Sequence, residues 1–378
     1  DRFLYDYRRT LADLMASEHY GTVAKVAHEN GLKVYGEALE DHRPSLGDDM
    51  AMRSHADVPM SAMWTHSEQD GPRLSYVADI KGAASVAHIY GQNLVAAESM
   101  TAAMSPWAFG PNDLKRIIDL EFVTGVNRPV VHTSVHVPID DKKPGLSLAI
   151  FGQYFNRNES WAELARPWVD YMARNSLLLQ QGRNVADVAY FYGEEGPLTA
   201  LYGDKRVADA PTVNAYDFVN YDALVGSLVN DGADLLTPGG ARYRVLYLGG
   251  SSSRMTLPAL RRIAALVEGG AREITLLGQN VNAWSGSDSK GRRAGLAALA
   301  EAIAQIDGIN NHAYAVQLFR KGLIKGAIKP CAERLSDIPI RDGDIRQSGG
   351  GIKGMGCAAT PDRSKGKRQS DDARTKPA

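Results

Sequence analysis

Cysteine is almost absent from this chain. Of 378 residues only Cys331 and Cys357 are cysteine, so the first 330 have none. That excludes a disulfide framework or a cysteine metal site from most of the sequence. An excess of charge is lacking too, since 43 basic side chains face 44 acidic ones for a formal net charge of -1. So balanced a chain has no field to draw in nucleic acid or an anionic membrane, and neither is expected as a partner. No apolar run approaches the roughly 18 residues that a membrane span needs. Residues 1–15 are charged and lack an apolar core, so no signal peptide is expected there.

What is present suits globular protein. Hydrophobic residues make up 44% and charged residues 23%, and the length allows two or three domains. Leu4, Tyr7, Leu11 and Leu14 recur at spacings of three and four, which predicts a helix from residue 1 to about His28. No cap precedes it, and upstream sequence is expected to be missing. Strands are predicted over residues 32–37, 74–79, 94–98 and 130–136, and helices over 81–90, 113–124 and 161–181. The last helix opens with a capping box, Ser160 and Glu163, followed by Trp161, Leu164, Trp168 and Met172 on one face.

Strand, helix, strand in repetition predicts an α/β fold with a parallel sheet or barrel. Only about four strands fall in residues 1–182, so an incomplete (β/α) barrel is expected there. Residues 183–278 predict a small doubly wound α/β domain: strand 185–192, helix 216–230, strand 243–248, helix 257–268 and strand 273–277. Gly249-Gly250 closes the second of these strands. It reads as a turn and not as a phosphate loop, because no G-x-G-x-x-G accompanies it. Residues 279–310 are expected to be helical and 311–378 poorly ordered. Residues 340–378 hold a glycine cluster and a charged run without aromatics, which cannot offset its ordering entropy.

Reactive groups of barrel enzymes sit at the carboxyl ends of strands. Glu98 closes the run Asn93 to Glu98, and Glu37 closes Leu32 to Glu37. Each must meet water, a ligand or a partner charge, because an unpaired buried carboxylate is costly; a strand cap or an arginine pair would serve equally. His132 and His136 lie four apart on one predicted strand and so share a face. They suit metal ligation or hydrogen bonds to a substrate. Asp48, Asp49 and Asp57 fall in a predicted loop with Trp64, a mixture fitted to sugar hydroxyls and an apolar sugar face, or to an ordinary exposed loop.

Several longer runs carry a family resemblance. "RFLYDYRRTLADLMASEHYGTVAKVAHENGLKVYGEALE", "GDDMAMRSHADVPMSAMW", "KGAASVAHIYGQNLVAAESMT" and "NRPVVHTSVHVPIDDKKPGLSLAIFGQYFNRNESWAELARPWVDYMARNSLLLQQGRNVADVAYFYGEE" resemble glycoside hydrolase family 106, the α-L-rhamnosidases, in the same order. The resemblance spans about residues 1–270. It implies that residues 32–136 are part of a catalytic barrel and that the next α/β domain follows it. It also implies calcium-dependent, inverting cleavage of rhamnose-containing glycosides, in parent proteins that are periplasmic or secreted. Glu98 matches the glutamate of an "AAES" motif, in the water-activating role. Glu37 is then a second base candidate or a sugar ligand, and Asp57, Trp64, His132 and His136 are the expected substrate-binding residues. The metal ligands stay unassigned.

Two departures follow. The family's acid lies in an Asp-Ser-(aromatic)-Glu motif, which this sequence lacks, and Ala62 stands where relatives often carry a polar residue. A second resemblance, "REITLLGQNVNAW" with "GLAALAEAIAQIDGI", is to the radical-SAM tRNA methylthiotransferases over about residues 271–309. Their Cys-x3-Cys-x2-Cys triad is absent, so no iron–sulfur cluster is expected. The whole reads as a truncated, chimeric glycosidase without turnover. A non-catalytic sugar-binding or assembly module is the rival, and an RNA-modifying remnant ranks third.

Overall fold

The computed structural model describes residues 2–39, 47–143, 145–146, 148–202, 210–211 and 213–269, and beyond them the backbone of residues 274–276, 285–287 and 293–295. The expected tail and both cysteines lie outside the described residues. Helix α1 (Arg2–Leu14) continues through a π-helical stretch (Met15–Gly21) into α2 (Thr22–Glu29). The predicted stripe on α1 turns outward, for the helix buries no residue and Leu4, Tyr7 and Leu14 are exposed.

Four parallel strands form the first sheet, in the order β1 (Tyr35–Gly36), β2 (Val58–Trp64), β3 (Ala96–Thr101) and β4 (Arg128–Val131). No closed barrel is formed among the described residues. The loop expected to hold Asp57 and Trp64 is instead largely this strand, β2, whose apolar run Pro59 and Ser61 interrupt. The predicted strand 74–79 is instead the start of α4 (Leu74–Tyr90). That helix is buried nearly all round, against β2 on one side and the second sheet on another, so it shows no apolar stripe to betray its period. Small residues, among them Ala78, Gly82, Ala83, Ala84 and Ser85, let it lie between two sheets.

β1 and β4 are shorter than predicted, and β4 stops before His132. Helix α5 (Pro111–Thr124) starts with Pro111 in its first turn, where a missing N–H costs nothing, and Asp113 accepts from the Gly110 N–H at 3.1 Å. Helix α6 (Arg166–Leu179) begins later than predicted. Its expected capping box does not form, since Ser160 N donates to Glu159 at 2.7 Å. Met63, Ala97, Leu114, Ile117, Ile118 and Phe122 make the core between the sheet and α5, extended by Trp168 and Met172 of α6.

The second sheet is also parallel, with β5 (Val188–Phe191), β6 (Tyr216–Val219), β10 (Val245–Leu248) and β11 (Ile274–Leu276) in the order β11-β10-β5-β6. The strand expected after residue 270 is present, pairing Leu246 with Ile274 and Leu248 with Leu276. The predicted helix 216–230 is not. Tyr216, Phe218 and Val219 have strand propensity and continue the sheet. A π-helical turn (Ala223–Ser227) then leads into an antiparallel trio, β7 (Val229–Asp231), β8 (Asp234–Leu236) and β9 (Arg242–Tyr243). Gly249-Gly250 is a turn: Gly250 has φ +58, and a Cβ there would stand 2.5 Å from the Tyr192 carbonyl oxygen. Helix α8 (Leu257–Glu268) follows as predicted, capped by Thr256. Further on, β12 (Ser285–Ser287) and β13 (Arg293–Gly295) pair antiparallel. The helix predicted at 296–306 lies outside the described residues.

Candidate active site

Ala97 and Ser99 point from β3 into the helix layer, where Ala97 joins the α5 core and Ser99 reaches Glu121 of α5 at 2.6 Å. Side chains alternate along a strand, so Glu98 points to the opposite face, flanked by Ala62 of β2 and Val130 of β4. One residue later the ladder slips. Met63 pairs with Ser99 but Trp64 pairs with Thr101, leaving Met100 unpaired in a bulge at φ 67. A bulge shifts every later side chain to the other face. Thr101 therefore joins Glu98, and its hydroxyl donates to Glu98 Oε1.

His132 follows β4 directly and is tied to β3 by its N–H, which donates to Ser99 O at 2.9 Å. Its Nδ1 lies 4.0 Å from Glu98 Oε1, and the two side chains are 21% and 22% exposed. That nitrogen is buried without a hydrogen-bond partner, so it is free to take one. Trp64 ends β2, stacks on Tyr76 at 6.2 Å and meets the Phe151 ring edge-on at 5.6 Å. The segment carrying Phe151 is pinned beside the site, with Gly152 N donating to Ala102 O at 2.8 Å and Gln153 N to His132 O at 3.0 Å. Only glycine fits at 152: its φ is +97, and a Cβ would come within 2.5 Å of Thr133. Glu98, Thr101, His132 and Trp64 thus gather at the carboxyl end of the sheet.

The other expected residues are not brought to Glu98. Glu37 follows β1, two strands from β3 and so about 10 Å away across the sheet. It lines a cavity of about 130 Å³ with His19, Tyr20 and His55, and its charge acts on buried Arg53. Asp57 precedes β2, at the amino end of the sheet. It accepts from Val34 N at 2.8 Å and His28 Nε2 at 2.9 Å, and these bonds, the backbone one first, hold its carboxyl below the ordinary range. His136 is exposed on irregular chain beyond β4, so it shares no strand face with His132.

Asp48 and Asp49 belong to the seam between the sheets and not to a sugar-facing loop. Asp48 caps α3 (Asp49–Arg53) and accepts from Tyr192 OH at 3.0 Å and Asn220 Nδ2 at 2.9 Å. Asp49 accepts from Leu198 N at 3.1 Å and Thr199 N at 3.3 Å. Desolvation raises both carboxyls. Sequence reasoning had passed over Tyr76, Phe151, Gln153 and the Thr101 hydroxyl, whose position only the bulge explains. Among the described residues no three His, Cys, Asp or Glu side chains converge to hold a metal ion. The calcium that the family resemblance implies stays without assigned ligands among the described residues. No helix of the described residues is long and apolar enough to cross a membrane.

A carboxylate at the carboxyl end of a parallel strand, beside a hydroxyl, an imidazole and an indole, stands where barrel enzymes carry their reactive groups. The chain belongs to glycoside hydrolase family 106, alpha-L-rhamnosidase, whose family model matches residues 1–314. It is similar to the solved rhamnosidase of Novosphingobium sp. PP1Y, at 78% identity and a TM-score of 0.71, over 72% of this chain and 26% of that one. A putative beta-glucuronidase of Formosa agariphila is 35% identical over 282 residues, which are 72% of this chain and 22% of that protein. The chain thus spans about a quarter of the length of these relatives. A tRNA-2-methylthio-N(6)-dimethylallyladenosine synthase of Zymomonas mobilis is 52% identical over 66 residues, 18% of this chain and 15% of that protein. Two resemblances therefore meet in one chain, as the sequence runs implied.

Proposed function

We propose that this chain carries the water-activating part of an inverting α-L-rhamnosidase site, with Glu98 as the general base. The supporting observation is the bulge at Met100, which sets the Thr101 hydroxyl on Glu98 Oε1, with the Glu98 side chain 22% exposed on the face away from α5. Trp64 offers an apolar surface to a sugar ring and His132 an unspent imidazole nitrogen to its hydroxyls. Glu37 stands across the sheet as a sugar ligand or second base. Asp57 lies at the amino end of the sheet and His136 beyond β4, both away from Glu98. Inversion requires an acid as well, about 6.5–9.5 Å from the base with water between them. The sequence has no Asp-Ser-(aromatic)-Glu motif to supply it, so the expected outcome for this chain alone is no hydrolysis of an aryl rhamnoside.

The test is a chimera in which residues 1–270 replace the matching segment of the Novosphingobium rhamnosidase. The chimera is expected to hydrolyse an aryl rhamnoside, and Glu98→Gln to lower kcat about 10²–10⁴-fold with KM little changed. A Glu98→Gln chimera with more than about a tenth of the parent turnover refutes the assignment.

A further inference from the structure

Glu121 sits on α5 directly behind the strand that carries Glu98. It is completely buried, and among the described residues its side chain has one hydrogen-bond partner, Ser99 Oγ at 2.6 Å from Oε2, while Oε1 has none. The charged groups on every element packed against it are engaged elsewhere. On α5 itself, Asp113 caps the helix, Lys115 bonds Asp119 and Tyr171, and Arg116 bonds His66. On α4, Asp79 pairs with Arg53, and Lys81 and His88 with Asp217. On α6, Arg166 pairs with Asp170 at the surface, and Arg174 is exposed. Glu98, on β3, points to the other face.

Hydrogen-bond arithmetic then favours one placement of the protons. Ser99 has one hydroxyl proton and two neighbours, Glu121 Oε2 and the Ala97 carbonyl oxygen at 3.1 Å. An ionised Glu121 would take that proton and would itself stay an uncompensated buried charge. A neutral Glu121 donates to Ser99, and Ser99 is free to donate to Ala97. Both contacts are then satisfied, in a chain that ends one peptide before Glu98.

We propose that Glu121 is a positioning residue: as a neutral acid it donates to Ser99 and holds β3 at the bulge that presents Glu98 and Thr101. Burial, opposed by the Ser99 bond, pushes its carboxyl up to about 8, which agrees with a proton retained at neutral pH. The proposal rests on the reading of Glu98 as the working carboxylate, but its test does not use turnover. If Glu98 fails as a base, the exchange results below still stand or fall alone.

The experiment is amide hydrogen exchange on the full chain between pH 6 and pH 10, corrected for intrinsic exchange, with Glu121→Gln and Glu121→Leu beside the wild type. Wild-type protection over residues 98–101 is expected to drop about tenfold as pH rises through about 8. Glu121→Gln keeps a donor for Ser99 and cannot ionise, so its protection stays level. Glu121→Leu loses the bond, so protection of 98–101 is low at every pH while 188–191 on the second sheet is unchanged. Identical pH profiles for wild type and Glu121→Gln overturn the proposal, whether or not the leucine variant folds. So does undiminished protection in the leucine variant.

Discussion

The two parallel sheets of this chain are built to different ends. β5 of the second sheet reads Val-Ala-Tyr-Phe, and all four residues are buried. β3 of the first reads Ala-Ala-Glu-Ser-Met-Thr, with a half-buried glutamate on one face and a serine bonded to a buried acid on the other. On the Glu98 face the edge residues Tyr35 and Val130 are 46% and 40% exposed, while Val58, Ala62 and Ala96 between them are buried. A strand covered on both faces is uniformly apolar, whereas a strand with a working face must carry polar groups and find partners for them. The second sheet is the drier core, and the first carries the polar groups to which the proposed function assigns the chemistry.

That division can be broken most forcefully at Asp217 of β6. Its fully buried carboxylate takes His88 Nδ1 at 2.8 Å and Tyr243 OH at 3.0 Å, with Lys81 at 3.7 Å. Asp217→Ala strands these groups and is expected to cost about 3–5 kcal/mol in denaturant unfolding; a loss below about 1 kcal/mol would show that the seam contributes little. Phe191→Ala, in the dry core of the second sheet, should cost about 3–4 kcal/mol. Acid should reveal the same seam. The His88 charge, first among the favourable influences, with its hydrogen bond and then Lys81, outweighs burial and holds Asp217 down to about 2, against 3.8 for the free group. A depressed carboxylate gives stability that is full above the unfolded value and lost as pH falls through the folded one. Between about pH 4 and pH 2 the protein should therefore lose about 2 kcal/mol, and Asp217→Asn should lose correspondingly less. Smallest of all, Val130→Ala on the open face should change stability by under about 0.5 kcal/mol. A large cost there would mean that the face is covered in solution.

The contrast also explains what could be read in advance. Glu98 stood out because a carboxylate ends an apolar run, and β5, β10 and β11 because their runs are unbroken. α4 was hidden for the opposite reason: a helix enclosed by two sheets has apolar residues on every side, and its first turns resemble a strand. Thr101 lies three residues past Glu98, where a regular strand puts it on the far face, and a bulge leaves no mark in composition. Asp48, Asp49 and Asp57 resembled a sugar-facing loop because carboxylates that cap, bridge and bind are alike in sequence. Their partners, Tyr192, Asn220, Leu198 and Val34, are set by chain folding.

α4 also limits how the chain can be cut. Asp79 on one side accepts from the Ala62 N–H of β2 at 3.1 Å, and Ser85 on another accepts from the Phe218 N–H of β6 at 2.9 Å. A boundary drawn at residue 182, where the two patterns change in sequence, would leave this helix with a bare flank and Lys81 and His88 without their carboxylate. The smallest portable module is therefore the pair of sheets. A recombination that carried Glu98 into another protein without β5 and β6 would deliver the catalytic letters and lose the grammar that arranges them.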